Sequence, residues 1–129
     1  MKVHVLVVDP DPLERDRVSA SLRALHYDVS GCADGPGALT FVQRERVSIV
    51  VTEHRLPGLD GQALAWELSR LTRPVGVVMA TRFGGPDAEE RARRAGILAY
   101  VQKPVEDPRL WQSLLEAALE THRRRLGTA

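Results

Sequence analysis

The sequence predicts an α/β protein in which five parallel strands form one sheet with helices on both faces. Short apolar runs rich in β-branched residues alternate five times with segments of helical period. Three of these runs, at residues 3–8, 47–52 and 75–80, read as continuous apolar runs without polar alternation, as burial on both faces of a sheet requires. Because the connections are short, right-handed crossovers and a doubly wound (βα)5 sheet are expected.

The predicted strands end where the sequence no longer favours extended structure. The first stops at Asp9-Pro10, the second at the turn formed by residues 34–37, and the third at a loop that opens with Glu53. The fifth ends at Lys103-Pro104. In chain order, the predicted strands are residues 3–8, 27–33, 47–52, 75–80 and 98–102.

The predicted helices are marked by helical spacing of apolar residues and by capping signals. Asp11 and Pro12 supply an N-cap and a first-turn proline for the first helix. Gly96 ends the fourth. In chain order, the predicted helices are residues 13–25, 38–45, 62–71, 86–95 and 108–124, and the last few residues are expected to fray. The apolar stripe of the last helix comprises Leu110, Leu114, Leu115, Ala118 and Leu119. Trp66 and Trp111 are interpreted as helix packing residues, and Trp111 also as an interface anchor.

Length and composition indicate one soluble domain over residues 1–129, with no linker or repeat. The hydrophobic fraction is 43% and the charged fraction 27%, which excludes global disorder. A net charge of +1 favours no particular partner, and the basic run 122–125 is interpreted as complementing a helix dipole rather than binding nucleic acid. Cys32 is the only cysteine, and the N-terminal apolar run is too short for a signal peptide or membrane span, so the cytoplasm is the expected location.

Ionisable and hydroxyl side chains follow four of the five strands at their carboxyl ends. In a doubly wound sheet these ends meet at one edge, beside the switch in strand order, where functional sites lie. No glycine-rich phosphate loop follows any strand, which argues against a P-loop or dinucleotide site and leaves a flavodoxin-like cofactor binder as a lower alternative. The four histidines are dispersed, which argues against zinc. The residues expected at this edge are Asp9, Pro10, Glu53, Arg55, Thr81, Arg82 and Lys103.

Four segments of the chain form a recognisable set of motifs, "VLVVDPDPLERDRV", "ADGPGAL", "LPGLDG" and "AYVQKP". On these motifs, the whole chain resembles the receiver domain of bacterial two-component response regulators. The resemblance implies the flavodoxin-like strand order 2-1-3-4-5 and a domain that is a signalling module rather than an enzyme. It also implies that a histidine kinase transfers a phosphoryl group to an Asp with the help of Mg²⁺. A hydroxyl residue and an aromatic residue then reorient and change the surface of the fourth helix, fifth strand and fifth helix.

The resemblance assigns roles to individual residues. Asp9 matches the first residue of the family's acidic pair, and Lys103 matches the lysine that pairs with the phosphoryl group. Pro104 matches the proline that follows a cis peptide bond, and Tyr100 matches the switch aromatic. Thr81 matches the switch hydroxyl by its spacing to Lys103. A rival alignment places Met79 there instead.

Two departures from the family pattern remove parts of the phosphorylation chemistry. Pro10 stands where the second acid belongs, so a carboxylate ligand for Mg²⁺ is missing. Glu53 stands at the phosphoacceptor position, and its extra methylene moves the carboxylate about 1.5 Å deeper into the site. In-line transfer does not tolerate such a displacement. We therefore expect no cofactor, and magnesium binding at Asp9 and Glu53 that is weak or absent.

The substitutions leave two readings of the site. Glu53 places a permanent negative charge near the position of the phosphoryl oxygens, within reach of Lys103, and so imitates phosphorylation in part. Alternatively, Arg82 or Arg55 pairs with Glu53 and closes the site.

We expect an atypical receiver that acts as an interaction module in a phosphorelay, independently of Asp phosphorylation. Its partner would be a histidine kinase or effector bound through the fourth helix, fifth strand and fifth helix, with a homodimer through the same face as a further possibility. Direct binding of nucleic acid or membrane is not expected. The alternative is a working phosphoacceptor with Mg²⁺-dependent transfer from a kinase.

Overall fold

The computed structural model describes residues 2–127, and its secondary structure follows the predicted alternation of strands and helices. The strands are β1 (His4–Val8), β2 (Asp28–Cys32), β3 (Ile49–Thr52), β4 (Gly76–Thr81) and β5 (Ala99–Gln102). The helices are α1 (Pro12–Ala24), α2 (Gly35–Arg44), α3 (Gly61–Ser69), α4 (Pro86–Arg94) and α5 (Pro108–Gly127).

The five strands form one parallel sheet in the order β2-β1-β3-β4-β5, which confirms the predicted strand order. Strand order reverses at β1, which lies between β2 and β3. The carboxyl ends of β1 and β3 are therefore neighbours, with Val8 in register with Thr52. This arrangement places the segments that follow the two strands side by side at the switch point.

Helices cover both faces of the sheet, as predicted. Val5 and Val7 of β1 are buried in a core shared with α1 and α5, whereas Leu6 and Val8 are buried in a second core shared with α2, α3 and α4. Successive side chains of a strand point to opposite faces. The apolar run without alternation is thus explained by two cores on one strand.

Side-chain caps determine where the helices begin. Asp11 caps α1 by accepting a hydrogen bond from the backbone N–H of Leu13, as predicted. The predicted start of α2 was wrong by three residues. Asp34 accepts a hydrogen bond from the backbone N–H of Gly37 and so caps the helix, and the residues expected to form a separate turn form its first turn instead. Gly96, with φ of +91°, follows α4.

The packing of the tryptophans and of α5 differs in part from the prediction. Trp111 is only 2% exposed, so its packing role is confirmed and its role as an interface anchor was wrong. Trp66 is 51% exposed and does not pack in a core, since it lies on the solvent side of α3 under the guanidinium of Arg70. Leu110 is also exposed, and Trp111 takes its place in the buried stripe. α5 extends to Gly127, and the rest of the predicted frayed tail, residues 128 and 129, lies outside the described residues.

Candidate functional site

Four of the predicted site residues are buried together at the carboxyl edge of the sheet. Asp9 follows β1, Glu53 follows β3, Thr81 ends β4, and Lys103 follows β5. Their exposed fractions lie between 0% and 6%, and such burial is unusual for the three that are charged, Asp9, Glu53 and Lys103. Buried charges require partners, so the contacts among them define the site.

Lys103 is the centre of the charge cluster. Its Nζ lies 2.6 Å from Oδ2 of Asp9, 3.7 Å from Oε1 of Glu53 and 3.7 Å from Oε2 of Glu14. Only the contact with Asp9 is a short hydrogen bond. The ammonium is thus bound to Asp9 and also compensates two further carboxylates.

The carboxylate of Glu53 is held mainly by backbone N–H groups. The N–H of His54 donates to Oε2 at 2.5 Å, and the N–H of Arg82 lies 3.4 Å from Oε1. The second contact joins the ends of β3 and β4. Glu53 therefore occupies an anion position formed by two loop amides and the ammonium of Lys103.

Glu14 belongs to the site although the sequence analysis did not identify it. It lies in the first turn of α1 and is only 7% exposed. Burial would raise the pKa of Glu14. The hydrogen bond from Arg82 and the charges of Lys103, Arg82 and Arg17 outweigh burial, so the pKa of Glu14 is lowered. An acidic residue in the first turn of a helix normally indicates only a favourable interaction with the helix dipole. The burial of Glu14, which marks it as a site residue, has no signal in the sequence.

The predicted pairing of Arg82 with Glu53 was wrong for the side chain. The guanidinium of Arg82 makes a short hydrogen bond with Glu14, and only the backbone N–H of Arg82 faces Glu53. The residue after β4 directs its long side chain across the mouth of the site to α1, because Glu14 offers a buried carboxylate there. Arg82 thereby links the β4–α4 loop to α1.

Arg55 does not pair with Glu53 either. Its guanidinium lies over the ring of Phe83, with 4.0 Å between Cζ and the ring centroid. Such a cation–π contact at an exposed position contributes about 0.5–1 kcal/mol. Arg55 and Phe83 therefore form a second, weaker contact between the β3–α3 and β4–α4 loops.

Thr81, rather than Met79, lies at the edge of the sheet. Thr81 is fully buried as the last residue of β4, and its Oγ1 accepts a hydrogen bond from the backbone N–H of Phe83 at 3.0 Å. Met79 lies two residues earlier and is buried in the core beside α3, where its Cε faces Gly61. The spacing to Lys103 thus identified the residue at the edge.

Tyr100 lies on β5 and Pro104 follows that strand, next to Lys103. The hydroxyl of Tyr100 packs so closely against Gly84 that a Cβ at that glycine would overlap it. Burial is the main cause of the raised pKa of Tyr100. The Lys103–Pro104 peptide bond is cis, as the resemblance implies.

The carboxylate oxygens of Asp9 are engaged by donors of the chain itself. Pro10 is exposed and offers no side-chain oxygen. Both oxygens of Asp9 already accept hydrogen bonds, from the backbone N–H of Asp11 at 2.9 Å and from Lys103 at 2.6 Å. Among residues 2–127, no three His, Cys, Asp or Glu side chains are arranged to hold a metal ion.

The strand order and this acid–threonine–lysine edge define a receiver-type signalling domain. The chain belongs to the response regulator receiver domain family, whose model matches residues 5–115. Members of this family interact with kinases and effector domains.

Two curated relatives are longer than this chain. The transcriptional regulatory protein ZraR of Salmonella typhimurium is 32% identical over 126 residues, which are 98% of this chain and 28% of ZraR. The response regulator PleD of Caulobacter vibrioides is 30% identical over 113 residues, which are 86% of this chain and 25% of PleD. The chain thus spans about a quarter of the length of these relatives.

Solved structures support the fold. A CheY-like receiver domain protein from Methanospirillum hungatei superposes with a TM-score of 0.85 at 22% identity, covering 97% of this chain and 99% of that chain. NtrX from Brucella abortus, solved in complex with ADP, gives a TM-score of 0.89 at 27% identity, covering 99% of this chain and 29% of that chain. Among the described residues, no helix combines the length and apolar character needed to span a membrane.

Proposed function

We propose that this chain is an atypical receiver that signals through protein contacts without phosphorylation of the residue after β3. The observation that carries the proposal is the position of the Glu53 carboxylate, which accepts from the backbone N–H groups of His54 and Arg82. A covalently attached phosphoryl group would need these same donors for its oxygens. In this reading Glu53 takes the place of the phosphoryl group rather than receiving it.

The charge balance of the site argues against the addition of a phosphoryl group. Three carboxylates, those of Asp9, Glu14 and Glu53, face the two cations Lys103 and Arg82, which gives a local charge of −1. A phosphoryl group would add nearly two further negative charges. Without the second acid and its metal ion, nothing in this cluster compensates them, so phosphorylation is opposed.

Imitation of the phosphorylated state is partial in this proposal. A carboxylate carries one charge, and Thr81 uses its oxygen to accept from Phe83 rather than to contact Glu53. Tyr100, in contrast, is already packed against the β4–α4 loop. The domain would therefore present one constant surface instead of switching between two.

The proposed contact surface is the face formed by α4, β5 and α5. A groove on this face is lined by Glu89, Glu90, Arg93, Tyr100 and Gln102. Its mixed charge suits a protein partner, namely a histidine kinase, an effector or a second copy of this chain. We also propose that the domain acts in the cytoplasm, that it binds neither nucleic acid nor a membrane directly, and that it is not an enzyme.

Incubation with a small phosphodonor and Mg²⁺ tests the proposal. We expect no acyl phosphate by intact-mass measurement for the native chain, and phosphorylation only when Pro10→Asp and Glu53→Asp are combined. The single variants are the matched controls, since each restores one part. An acyl phosphate on Glu53 of the native chain would overturn the proposal and establish a working phosphoacceptor.

A further inference from the structure

Two neighbouring cavities lie at the amino edge of the sheet, at the opposite end from Glu53. The first has a volume of about 240 Å³ and the second about 150 Å³. They have three lining residues in common, Pro74, His122 and Leu126, and we refer to the pair as the amino-edge cleft. The two volumes together are of the size of a small-molecule site.

The two halves of the cleft differ in chemistry. The larger cavity is lined mainly by apolar residues, among them Val75, Val77 and Leu98. Its polar lining residues are Ser69, His122 and Arg125. The smaller cavity is basic, because three exposed arginines line it, Arg46, Arg73 and Arg123. The cleft thus combines an apolar compartment with a cationic one.

The arginines of the smaller cavity have no carboxylate partner in the described part of the chain. Neither cavity is lined by an Asp or a Glu. No ion pair within residues 2–127 involves Arg46, Arg73 or Arg123, although other exposed arginines, such as Arg93 and Arg94, are paired on their own helix. Guanidinium groups bind phosphate and carboxylate through parallel N–H donors, so this cluster is suited to an anion.

His122 lies at the junction of the two cavities. It is buried, with an exposed fraction of only 8%. Burial, together with the charge of Arg125, lowers the pKa of His122, so its imidazole is neutral at pH 7. A neutral imidazole has one N–H donor that an anionic group at this junction can accept from.

We propose that the amino-edge cleft binds a small phosphomonoester with an apolar body. The body occupies the larger cavity, and the phosphate lies against Arg46, Arg73 and Arg123. A dianionic head matches three guanidinium groups better than a single carboxylate does. A nucleic-acid duplex matches the cleft less well, because the three arginines line a small cavity that adjoins a mainly apolar one. The site is separate from the receiver chemistry and does not depend on it.

Phenyl phosphate, added without divalent metal, is the probe that tests the two-part site. Binding is followed by the backbone amide NMR shifts of Gly76 and Gly96, which line the larger cavity. We expect saturable binding that is about tenfold or more tighter than that of inorganic phosphate or phenol, because each of these fills only one compartment. Benzoate, with a singly charged head, should bind with intermediate affinity.

Variants separate the two halves. Arg46→Gln combined with Arg73→Gln should weaken phenyl phosphate about tenfold or more, and Leu126→Gln should weaken phenyl phosphate but not inorganic phosphate. Arg109→Gln is the matched control and should change nothing, because Arg109 is exposed in the first turn of α5, at the opposite end of that helix from the cleft. Both cleft changes are at exposed positions, and dispersed amide spectra would verify folding.

Four results would overturn the proposal. Equal affinity for inorganic and phenyl phosphate would reduce the cleft to a charged surface. An equal loss in Arg109→Gln, or no saturable binding of any probe, would remove the site altogether. Tighter binding of a DNA duplex than of phenyl phosphate at the same ionic strength would assign the arginines to nucleic acid.

Discussion

Replacing Glu14 with Gln tests whether the contact between α1 and the β4–α4 loop stabilises the domain. The change removes the charge that faces Arg82 and Lys103 while keeping the side chain's size. A hydrogen bond to a charged group is worth about 1.5–3 kcal/mol, and solvent reduces this because the Arg82 side chain is 44% exposed. Lys103 retains Asp9 at 2.6 Å. We therefore expect a loss of about 1–2 kcal/mol in the free energy of unfolding at pH 7.

Urea unfolding measures this loss, and Glu120→Gln is the control. Glu120 pairs with Arg124 on α5, but both side chains are more than 60% exposed. That pair should contribute less than about 0.5 kcal/mol. A double-mutant cycle with Arg82→Gln should give a coupling of about 1 kcal/mol for the Glu14–Arg82 pair. Equal losses for Glu14→Gln and Glu120→Gln, or zero coupling, would refute the reasoning.

The stability difference should also depend on pH. The pKa of Glu14 is lower in the folded than in the unfolded state. Its contribution is therefore fully present above the unfolded-state pKa and is lost as pH falls through the folded-state pKa. Native protein and Glu14→Gln should converge in acid, and a difference that grows as pH falls would contradict the assignment.

Three further predictions concern single positions. Lys103→Met should cost about 3–5 kcal/mol in urea unfolding, because it leaves buried carboxylates unpaired, and adding Asp9→Asn should recover part of the loss. Gly84→Ala should lower stability by about 1–3 kcal/mol, because the new Cβ overlaps the hydroxyl of Tyr100. Cys32 should react with iodoacetamide at pH 7.5 more slowly than a free thiol, because burial is the main cause of its raised pKa.

Each of these predictions has a result that would contradict it. If Asp9→Asn does not reduce the stability loss caused by Lys103→Met, the lysine stabilises the domain by something other than its ion pair with Asp9. For the glycine, Gly85→Ala is the control, since nothing lies within 4 Å of a Cβ built there, and equal losses would exclude the overlap. Reaction of Cys32 at the rate of free cysteine would show that the thiol is not buried in solution.

Strand positions were predictable because burial on two faces leaves a strong sequence signal. The run at residues 3–8 has no polar interruption after His4, and the structure divides it between two cores. Helix starts were less predictable where a cap competes with a turn. Asp34 illustrates this, since the same residues were consistent with a turn and with the first turn of α2.

Site residues were predictable where they follow a strand. Asp9, Glu53, Thr81 and Lys103 lie at the carboxyl edge because parallel strands all end there, whatever their exact contacts. No such rule predicts Glu14, because α1 lies on one face of the sheet and its side chain reaches the site from there. Its burial depends on how α1 packs against the sheet.

The sequence by itself determined which elements form, which edge carries the site and which charged residues follow the strands there. Tertiary structure alone decided which of the charged side chains contact each other. The Lys103–Asp9 contact spans 94 positions and the Arg82–Glu14 contact spans 68. Differences of a few ångströms between these loops decide whether Arg82 closes on Glu53 or on Glu14. Local patterns do not encode distances between segments so far apart, because those distances arise from the packing of helices on the finished sheet.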